Sequence, residues 1–262
     1  MCRLVGYLGS PIQLDQLLYK PEHSLLVQSY QPKEMTSGVV NADGLGIGWY
    51  PTKGEANPFT YKNLLPMWND TNLPELSRYI ESQCIVAYVR SATAGQVLDI
   101  SNCQPFRDNR LLLIHNGSID KFRKSLYRPI RDRLSDELYQ SINGTTDSEH
   151  MFALLVNELQ VFPDTPIEKA LYATLMTLSE LAQEHHVSLS ANLIVSDGHR
   201  LVASRYALGS TAPSLYWLRD DPMYPNAVII ASEPLFTGNW NSVPNSSILS
   251  VGEDLEVNIN QL

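Results

Sequence analysis

The sequence has few cysteines, and their spacing fits neither a metal site nor a disulfide framework. The 262 residues include three, at Cys2, Cys84 and Cys103. An odd number without framework spacing indicates a protein that stays reduced, so we expect a cytoplasmic location. The sequence also lacks C-x-x-C and H-E-x-x-H segments, and it therefore predicts no metal centre.

Basic residues and long apolar runs are scarce as well. Lys and Arg number 19 against 28 Asp and Glu, which gives a net charge of −9 and argues against binding to a phosphate backbone. The densest basic stretch, residues 121–134, is followed by acidic residues and is interpreted as a solvated helix face. The first apolar run, residues 4–8, is too short for a signal peptide, and no run approaches the roughly 20 residues of a membrane span. Neither nucleic acid nor a membrane is an expected partner.

The remaining composition supports a sizeable hydrophobic core. Hydrophobic residues make up 44% of the chain and charged residues 18%, and no linker divides it, so we expect one domain over residues 1–262. Strands are predicted over residues 3–7, 46–50, 84–89 and 111–115. Helices are predicted over residues 73–82, 118–126 and 165–186, with a further helix that begins near Asp147.

The C-terminal third of the chain changes to strand patterns. Two apolar runs joined by Asp197-Gly198 predict a β-hairpin. Short strands are predicted to follow over residues 214–218, 227–232, 247–251 and 255–259. Strands first, two long helices in the middle and then a β-meander predict an α+β fold with antiparallel sheets, not an alternating parallel βαβ fold.

Both long helices carry N-terminal signals. Thr146 and Glu149 have the spacing of a capping box at the start of the first. Thr165 is predicted to cap the second, with Pro166 at its first position and Glu168 completing the box. Apolar positions of the second helix recur at helical spacing, at Ile167, Leu171, Leu175, Leu178 and Ala182.

The cysteine at position 2 stands directly before the first predicted strand. If Met1 is removed, Cys2 carries both a thiol and a free α-amine. An α-amine has a pKa of about 7.7–8.0, so it is available as a base near neutral pH. The alternative interpretation is a small strand residue with no chemical role.

Three further positions carry residues that can bind a charged group of a substrate. Asn116-Gly117 is a common hairpin-turn pair, but it lies between a buried strand and a predicted helix, where an amide beside an unhindered N–H suits an oxyanion hole. Arg90 ends an apolar strand and is either a surface ion-pair partner or a fork for a substrate carboxylate. Asp147 either caps a helix or provides an anion for a substrate ammonium.

Taken in order, these segments resemble the class II glutamine amidotransferases, which are N-terminal-nucleophile hydrolases. The signature of that family is a cysteine exposed by removal of Met1, then R-x-A-T, then H-N-G after a strand, then an acid that opens a helix. The matching segments here are residues 1–2, 90–93, 115–117 and 147–149. The resemblance covers nearly the whole chain and implies a four-layer αββα sandwich of two antiparallel sheets, with a mature chain that starts at Cys2.

The resemblance also implies a role for each matched residue. Cys2 attacks the γ-carbonyl of a γ-glutamyl amide and forms a thioester, with its own α-amine as the base. Asn116 and Gly117 stabilise the oxyanion, and water then releases glutamate. The residues assigned to substrate binding are Arg90 for the α-carboxylate, Asp147 for the α-ammonium, and Thr93 and His115 within the same motifs. No cofactor or metal is required, the expected partner is a small-molecule γ-glutamyl substrate, and a homo-oligomer is left open.

Further segments are similar to the γ-glutamyl hercynylcysteine sulfoxide hydrolases of ergothioneine biosynthesis. These segments include LLVQSYQPKE, NADGLGIGWY, VRSATAG, HNGSID and ASEPL. Ser91 and Ala94 replace the Trp and His of the R-W-A-T-H-G segment of synthase amidotransferases, which weakens the expectation that glutamine is the preferred substrate. The alternatives are a general γ-glutamyl peptidase, a glutaminase subunit that supplies ammonia to a separate synthase and, remotely, a non-catalytic binding module.

Overall fold

Two antiparallel sheets lie face to face in the computed structural model, which describes residues 2–35, 38–52, 57–92 and 96–262. The strands are β1 Arg3–Gln13, β2 Leu45–Trp49, β3 Phe59–Asn63, β4 Glu81–Val89, β5 Phe106–Asp108, β6 Leu111–Ile119, β7 Leu189–Ser196, β8 Leu201–Arg205, β9 Ala207–Leu208, β10 Tyr216–Asp221, β11 Tyr224–Ala231, β12 Asn241–Ser242, β13 Ser247–Val251 and β14 Val257–Gln261. The first sheet has the order β12-β10-β11-β1-β4-β2-β3. The second has the order β14-β13-β8-β7-β6-β5, with β9 beside β7.

Helices cover the outer face of each sheet. They are α1 Asp15–Leu18, α2 Leu25–Tyr30, α3 Leu73–Tyr79, α4 Tyr127–Arg131, α5 Asp136–Ser141, α6 Asp147–Val161 and α7 Ile167–Glu184. Apolar side chains of α1–α3 pack on the first sheet, and those of α4–α7 pack on the second. All five apolar positions predicted for α7 are buried. The predicted α+β class and four-layer αββα sandwich are confirmed. No helix in the described part of the chain is long and apolar enough to cross a membrane.

The alternation of side chains along β1 explains the middle layer of the core. Leu4 faces the second sheet, whereas Val5 and Tyr7 face the helices. Gly6 lies between these residues, and a Cβ there would be 3.1 Å from the side chain of Ile194 in β7. The two sheets therefore pack tightly where β1 crosses β7.

The helix predicted over residues 118–126 is wrong. β6 continues through Ile119, because Ser118 and Ile119 pair with Ser190 and Leu189 of β7. Turns then follow until α4 begins at Tyr127. Beside β7, the N–H groups of Ser118 and Ile119 donate to Ser190 Oγ and Asp147 Oδ2, and these tertiary contacts outweigh the helical spacing of the apolar residues that follow.

The predicted start of α7 is wrong by one residue. Pro166 is the N-cap, without a side-chain capping bond, and the helix begins at Ile167. Thr165 belongs to the preceding turn, since its N–H donates to the carbonyl oxygen of Phe162 at 3.0 Å. The first-turn acid Glu168 is present, but no capping box forms because the N-cap proline has neither a side-chain acceptor nor an N–H.

The C-terminal strands do not form the single meander that we predicted. The hairpin at Asp197-Gly198 is confirmed, with β7 and β8 paired on either side of it. This hairpin and the β13–β14 hairpin belong to the second sheet, whereas β10 and β11 pair in the first. Strand alternation identifies each hairpin but does not say which of two sheets it joins.

Candidate active site

The strand register of the first sheet places Cys2 and Arg90 side by side. Arg3 of β1 is paired with Val89 of β4, so Cys2, just before β1, comes opposite Arg90, just after β4. Both positions lie on the alternation that faces the second sheet. Cys2 is partly buried, and its Sγ lies 3.9 Å from the carbonyl oxygen of Ser91.

Asn116 faces the same gap from the second sheet. It lies inside β6, paired with Asn192 of β7, so Asn116-Gly117 is neither a hairpin turn nor the end of the strand. The preceding inward positions, Leu112 and Ile114, belong to the core between the sheets, and Asn116 continues their alternation. It is fully buried, yet neither Oδ1 nor Nδ2 has a hydrogen-bond partner in the described part of the chain. Buried polar atoms without partners are rare, and they mark Asn116 as a position that a polar ligand would satisfy.

Gly117 is required by a close approach of backbone. A Cβ at this position would collide with the carbonyl oxygen of Ser190 in β7 and lie 2.6 Å from His115 Nε2. Any larger residue would push β6 away from β7 and move the neighbouring Asn116. Glycine therefore keeps the strand pair closed at the candidate site.

His115 is held by protein groups at both ring nitrogens. Nε2 lies 3.2 Å from the carbonyl oxygen of Ser190, which can only accept, so Nε2 carries the proton. Nδ1 lies 2.8 Å from Ser148 Oγ and accepts from that hydroxyl. Burial lowers the pKa of His115, which keeps the imidazole neutral. These contacts fix the ring between β6, β7 and the start of α6.

The Arg90 guanidinium is buried, with one free edge. Nη2 donates to Gln96 Oε1 at 3.1 Å, whereas Nη1 has no partner among the described residues. The backbone on either side is held by the turn before β2: Arg90 N–H donates to Gly44 O at 2.8 Å, and Asp43 Oδ2 accepts from Ala92 N–H at 2.7 Å. The guanidinium is thus presented from a fixed strand end.

Asp147 links the first turn of α6 to β6. Its Oδ2 accepts from Ile119 N–H at 2.9 Å, and its Oδ1 accepts from Ser148 N–H at 2.9 Å. The carboxylate is 8% exposed, so it is largely shielded from water while each oxygen retains a lone pair. Its contact Ile119 lies three residues along β6 from Asn116.

The capping box predicted at this helix forms only in part. Thr146 Oγ1 accepts from Glu149 N–H at 3.2 Å, as predicted. The Glu149 carboxylate instead accepts from the N–H groups of Asn143 and Gly144, at 2.9 and 2.7 Å. The helix start and the turn before it are therefore fixed together. Thr93, predicted to bind substrate, lies outside the described residues.

Two residues at the site escaped the sequence interpretation. The Gln104 side chain brackets His115, since Oε1 accepts from His115 N–H at 2.5 Å and Nε2 donates to its carbonyl at 3.2 Å. Asn192 lies opposite Asn116, and its Nδ2 donates to Pro213 O at 3.0 Å while its buried Oδ1 has no partner in the described ranges. Asn192 shares its face of β7 with the polar residues Ser190 and Ser196, so nothing in the local pattern distinguishes it, and nothing in the spacing indicates Gln104.

The three thiols differ in their surroundings. Burial raises the pKa of Cys2, and its hydrogen bond to Ser91 acts in the opposite direction. Cys84 is fully buried between the sheets, which raises its pKa to about 12, and its Sγ lies 3.0 Å from Ser196 Oγ. Burial also raises the pKa of Cys103, which is completely inaccessible. Cys2 is thus the one of the three cysteines that is not fully buried.

His150 in α6 predicts a pH dependence of stability. Burial, with the nearby Arg131, lowers its pKa to about 4, and Arg131 Nε donates to Nε2 at 2.9 Å. The unfolded chain takes up a proton near pH 6.5, but the native ring does not until about pH 4. The contribution of His150 to the free energy of unfolding is therefore complete above pH 6.5, and it falls by about 3 kcal/mol as the pH drops to 4. Urea midpoints of His150→Gln should fall less steeply over that range than those of the wild type. The exposed His185→Gln serves as the control, and parallel curves for all three proteins would contradict the prediction.

Comparisons with family models, curated proteins and solved structures all find relatives described as class II glutamine amidotransferases or related proteins. The family model for class-II glutamine amidotransferases matches residues 21–224. The chain is 32% identical to the probable glutamine amidotransferase DUG3 of Saccharomyces cerevisiae, over 96% of this chain and 82% of that protein. It is 31% identical to the γ-glutamyl-hercynylcysteine sulfoxide hydrolase of Mycolicibacterium smegmatis, over 96% of each chain. A solved glutamine aminotransferase class-II domain protein from Silicibacter pomeroyi superposes with a TM-score of 0.73 at 25% identity, over 100% of this chain and 99% of that one.

Proposed function

The chain belongs to the class II glutamine amidotransferases, and we propose that it is a γ-glutamyl amidohydrolase whose nucleophile is Cys2, exposed by removal of Met1. The observation that carries the proposal is the Asn116 amide, buried without a partner and facing the gap into which Cys2 and Arg90 also project. The alignment with a relative that is named as a γ-glutamyl hydrolase covers nearly the whole of both chains, which supports hydrolysis of an amide.

In the proposed mechanism, the α-amine of Cys2 takes the thiol proton, directly or through water. Burial raises the pKa of this thiol, so few thiolates form without a base and the amine is needed. The sulfur attacks the γ-carbonyl, and the Asn116 Nδ2 and Gly117 N–H groups stabilise the oxyanion. The amine leaving group departs with a proton, a γ-glutamyl thioester remains, and water then releases glutamate.

The glutamyl group would be held by its two charges. Arg90 Nη1 is a buried donor without a protein partner, which suits an α-carboxylate. Asp147 provides a shielded carboxylate for the α-ammonium. We propose that His115 contributes by holding this corner in place, since its ring joins β6, Ser148 and Ser190, and that Thr93 completes the contacts with the substrate.

The proposed leaving group is hercynylcysteine sulfoxide, which would place the enzyme in ergothioneine biosynthesis in the cytoplasm. The support is the likeness to the mycobacterial hydrolases together with the sequence segments shared with that family. A general γ-glutamyl peptidase or glutaminase remains the second candidate, because identity to the yeast glutamine amidotransferase is equally high.

A substrate panel tests the proposal. Glutamate release is measured from γ-glutamyl hercynylcysteine sulfoxide, its thioether, glutathione and glutamine. We expect the highest kcat/KM for the sulfoxide. A preference for glutathione or glutamine would favour the second candidate, and no glutamate from any of the four would contradict γ-glutamyl hydrolysis itself.

Arg90→Lys and Asp147→Asn are expected to lower kcat/KM by about 10–100-fold, because each removes a charge-assisted contact with the glutamyl group. The loss should be mainly in KM, which rate measurements over a range of substrate concentrations will show. The control is Arg128→Lys, at an exposed position of α4. Wild-type kcat/KM in both variants for every γ-glutamyl substrate would show that the assigned pocket is wrong.

A further inference from the structure

A buried ion pair lies on the helix side of the first sheet, directly behind Cys2. Arg3 is fully buried and Glu233 is 1% exposed, and Arg3 Nη1 lies 2.9 Å from Glu233 Oε1. Arg3 Nε donates a further hydrogen bond, of 2.7 Å, to the carbonyl oxygen of Cys2. One guanidinium therefore joins the Cys2 backbone to a buried carboxylate.

Four donors converge on Glu233. His23 Nε2 and Lys33 N–H lie 2.7 and 2.9 Å from Oε2, and Arg3 shares Oε1 with the N–H of Glu34, which lies 2.9 Å away. Burial alone would raise the pKa of Glu233, but His23, the two backbone N–H groups and Arg3 lower it to about 2. The carboxylate is ionised near neutral pH and held from several sides, so it is a rigid anchor for Arg3.

Stability alone does not explain this pair. The pair is buried, and Val5 and Ala231, neighbours of these residues along the chain, belong to the apolar layer between the first sheet and its helices. Replacing a buried ion pair with well-packed apolar residues is often neutral or stabilising. What an apolar pair cannot do is donate a hydrogen bond to the carbonyl of Cys2. Fixing that carbonyl fixes the planar peptide after Cys2 and the position of its Cα, so the amine and thiol keep only the rotations about the Cα–C and Cα–Cβ bonds.

We propose that Arg3 and Glu233 are positioning residues, which orient Cys2 so that its thiol and α-amine point into the gap between the sheets. The inference rests on the proposed function, because it assigns the pair to the same nucleophile. Neither residue touches the substrate. Their effect is on the rate of attack and not on the capture of the glutamyl group.

The kinetic test uses Arg3→Lys and Glu233→Gln. Lysine keeps a cation beside Glu233 but has no Nε donor for Cys2, and glutamine keeps an acceptor for the backbone N–H groups but loses the anion. In both, kcat should fall by about 10–100-fold while KM stays within about threefold. The matched controls are Arg219→Lys and Glu256→Gln, because that pair has a similar contact distance, 2.8 Å against 2.9 Å, but lies at the surface. Both controls should keep the wild-type kcat.

A structural measurement needs no substrate. Cys2-Arg3 is the only Cys-Arg pair in the sequence, so protein labelled with ¹³C′-cysteine and ¹⁵N-arginine gives one carbonyl-to-amide cross-peak. In the wild type we expect a rigid signal by heteronuclear NOE, and in Glu233→Gln a shifted signal with a lower NOE. If Glu233→Gln does not fold, Arg3→Lys with ¹⁵N-lysine gives the same unique signal.

The two measurements separate this inference from the proposed function. A rigid wild-type signal that loosens in the variant supports positioning even if no γ-glutamyl substrate is hydrolysed, in which case only the function fails. Wild-type kcat in both variants, or a lower kcat with an unchanged Cys2-Arg3 signal, would overturn the positioning role while hydrolysis by the wild type stands.

Discussion

Protein that begins at Cys2 is expected to hydrolyse its γ-glutamyl substrate about 10³-fold faster than the same chain with a fixed N-terminal extension. An extension turns the amine of Cys2 into an amide, which cannot accept the thiol proton. Burial already raises the pKa of this thiol, so the extended protein lacks both thiolate and base. Glutamate release from two preparations, one with a non-removable N-terminal tag and one tagged at the C-terminus, measures the difference.

The covalent state of the protein provides the control. Only the preparation with a free Cys2 should react with the γ-glutamyl electrophile 6-diazo-5-oxo-norleucine, and peptide mass should place the adduct on Cys2. Cys84 and Cys103 are fully buried and should stay unmodified in both preparations. Equal activity, after intact mass has confirmed that the tag remains, would exclude the N-terminal amine as the base and would favour a different mechanism.

The sequence was sufficient for the α+β class because strands, two long central helices and further strands follow one another in that order, and the four-layer sandwich followed from the family resemblance. It failed where tertiary pairing overrides local spacing. Residues 118–119 extend a strand because β7 lies beside them, and no local pattern contains that information. The assignment of the last hairpins to two sheets failed for the same reason, since a hairpin has the same local sequence pattern in either sheet.

For the candidate site, order along the chain identified the residues that lie on the motifs, and the register of the sheets brings Cys2 opposite Arg90. The supporting residues could not be found in this way. Gln104 brackets His115 across a loop, and Glu233 reaches Arg3 from 230 positions away. Residue spacing along the chain predicts neither contact, because each depends on how strands from distant segments come together.

The second large effect is expected from Asn116. Asn116→Ala and Asn116→Leu should lower kcat by about 10²–10³-fold, the usual result of losing one oxyanion donor. Neither should lower stability much, because the buried amide has no partner in the described part of the protein whose hydrogen bond would be lost. Leucine, which has the same number and branching of side-chain heavy atoms, should leave Tm equal to or above the wild type, since an unsatisfied buried amide costs about 1–3 kcal/mol. Steady-state rates and thermal unfolding of the same samples give both quantities.

This opposition between activity and stability distinguishes a catalytic amide from a structural one. A structural asparagine would lose stability and activity together, whereas an oxyanion donor loses activity alone. The matched control is Asn260→Ala, an amide at an exposed position of β14 that should change neither kcat nor Tm. Asn192, opposite Asn116, is not an alternative donor, because its Nδ2 already donates to the carbonyl oxygens of Pro213 and Ser214 and its free Oδ1 can only accept. If Asn116→Leu folds with a wild-type Tm and still turns over substrate at the wild-type rate, the oxyanion donor is not Asn116.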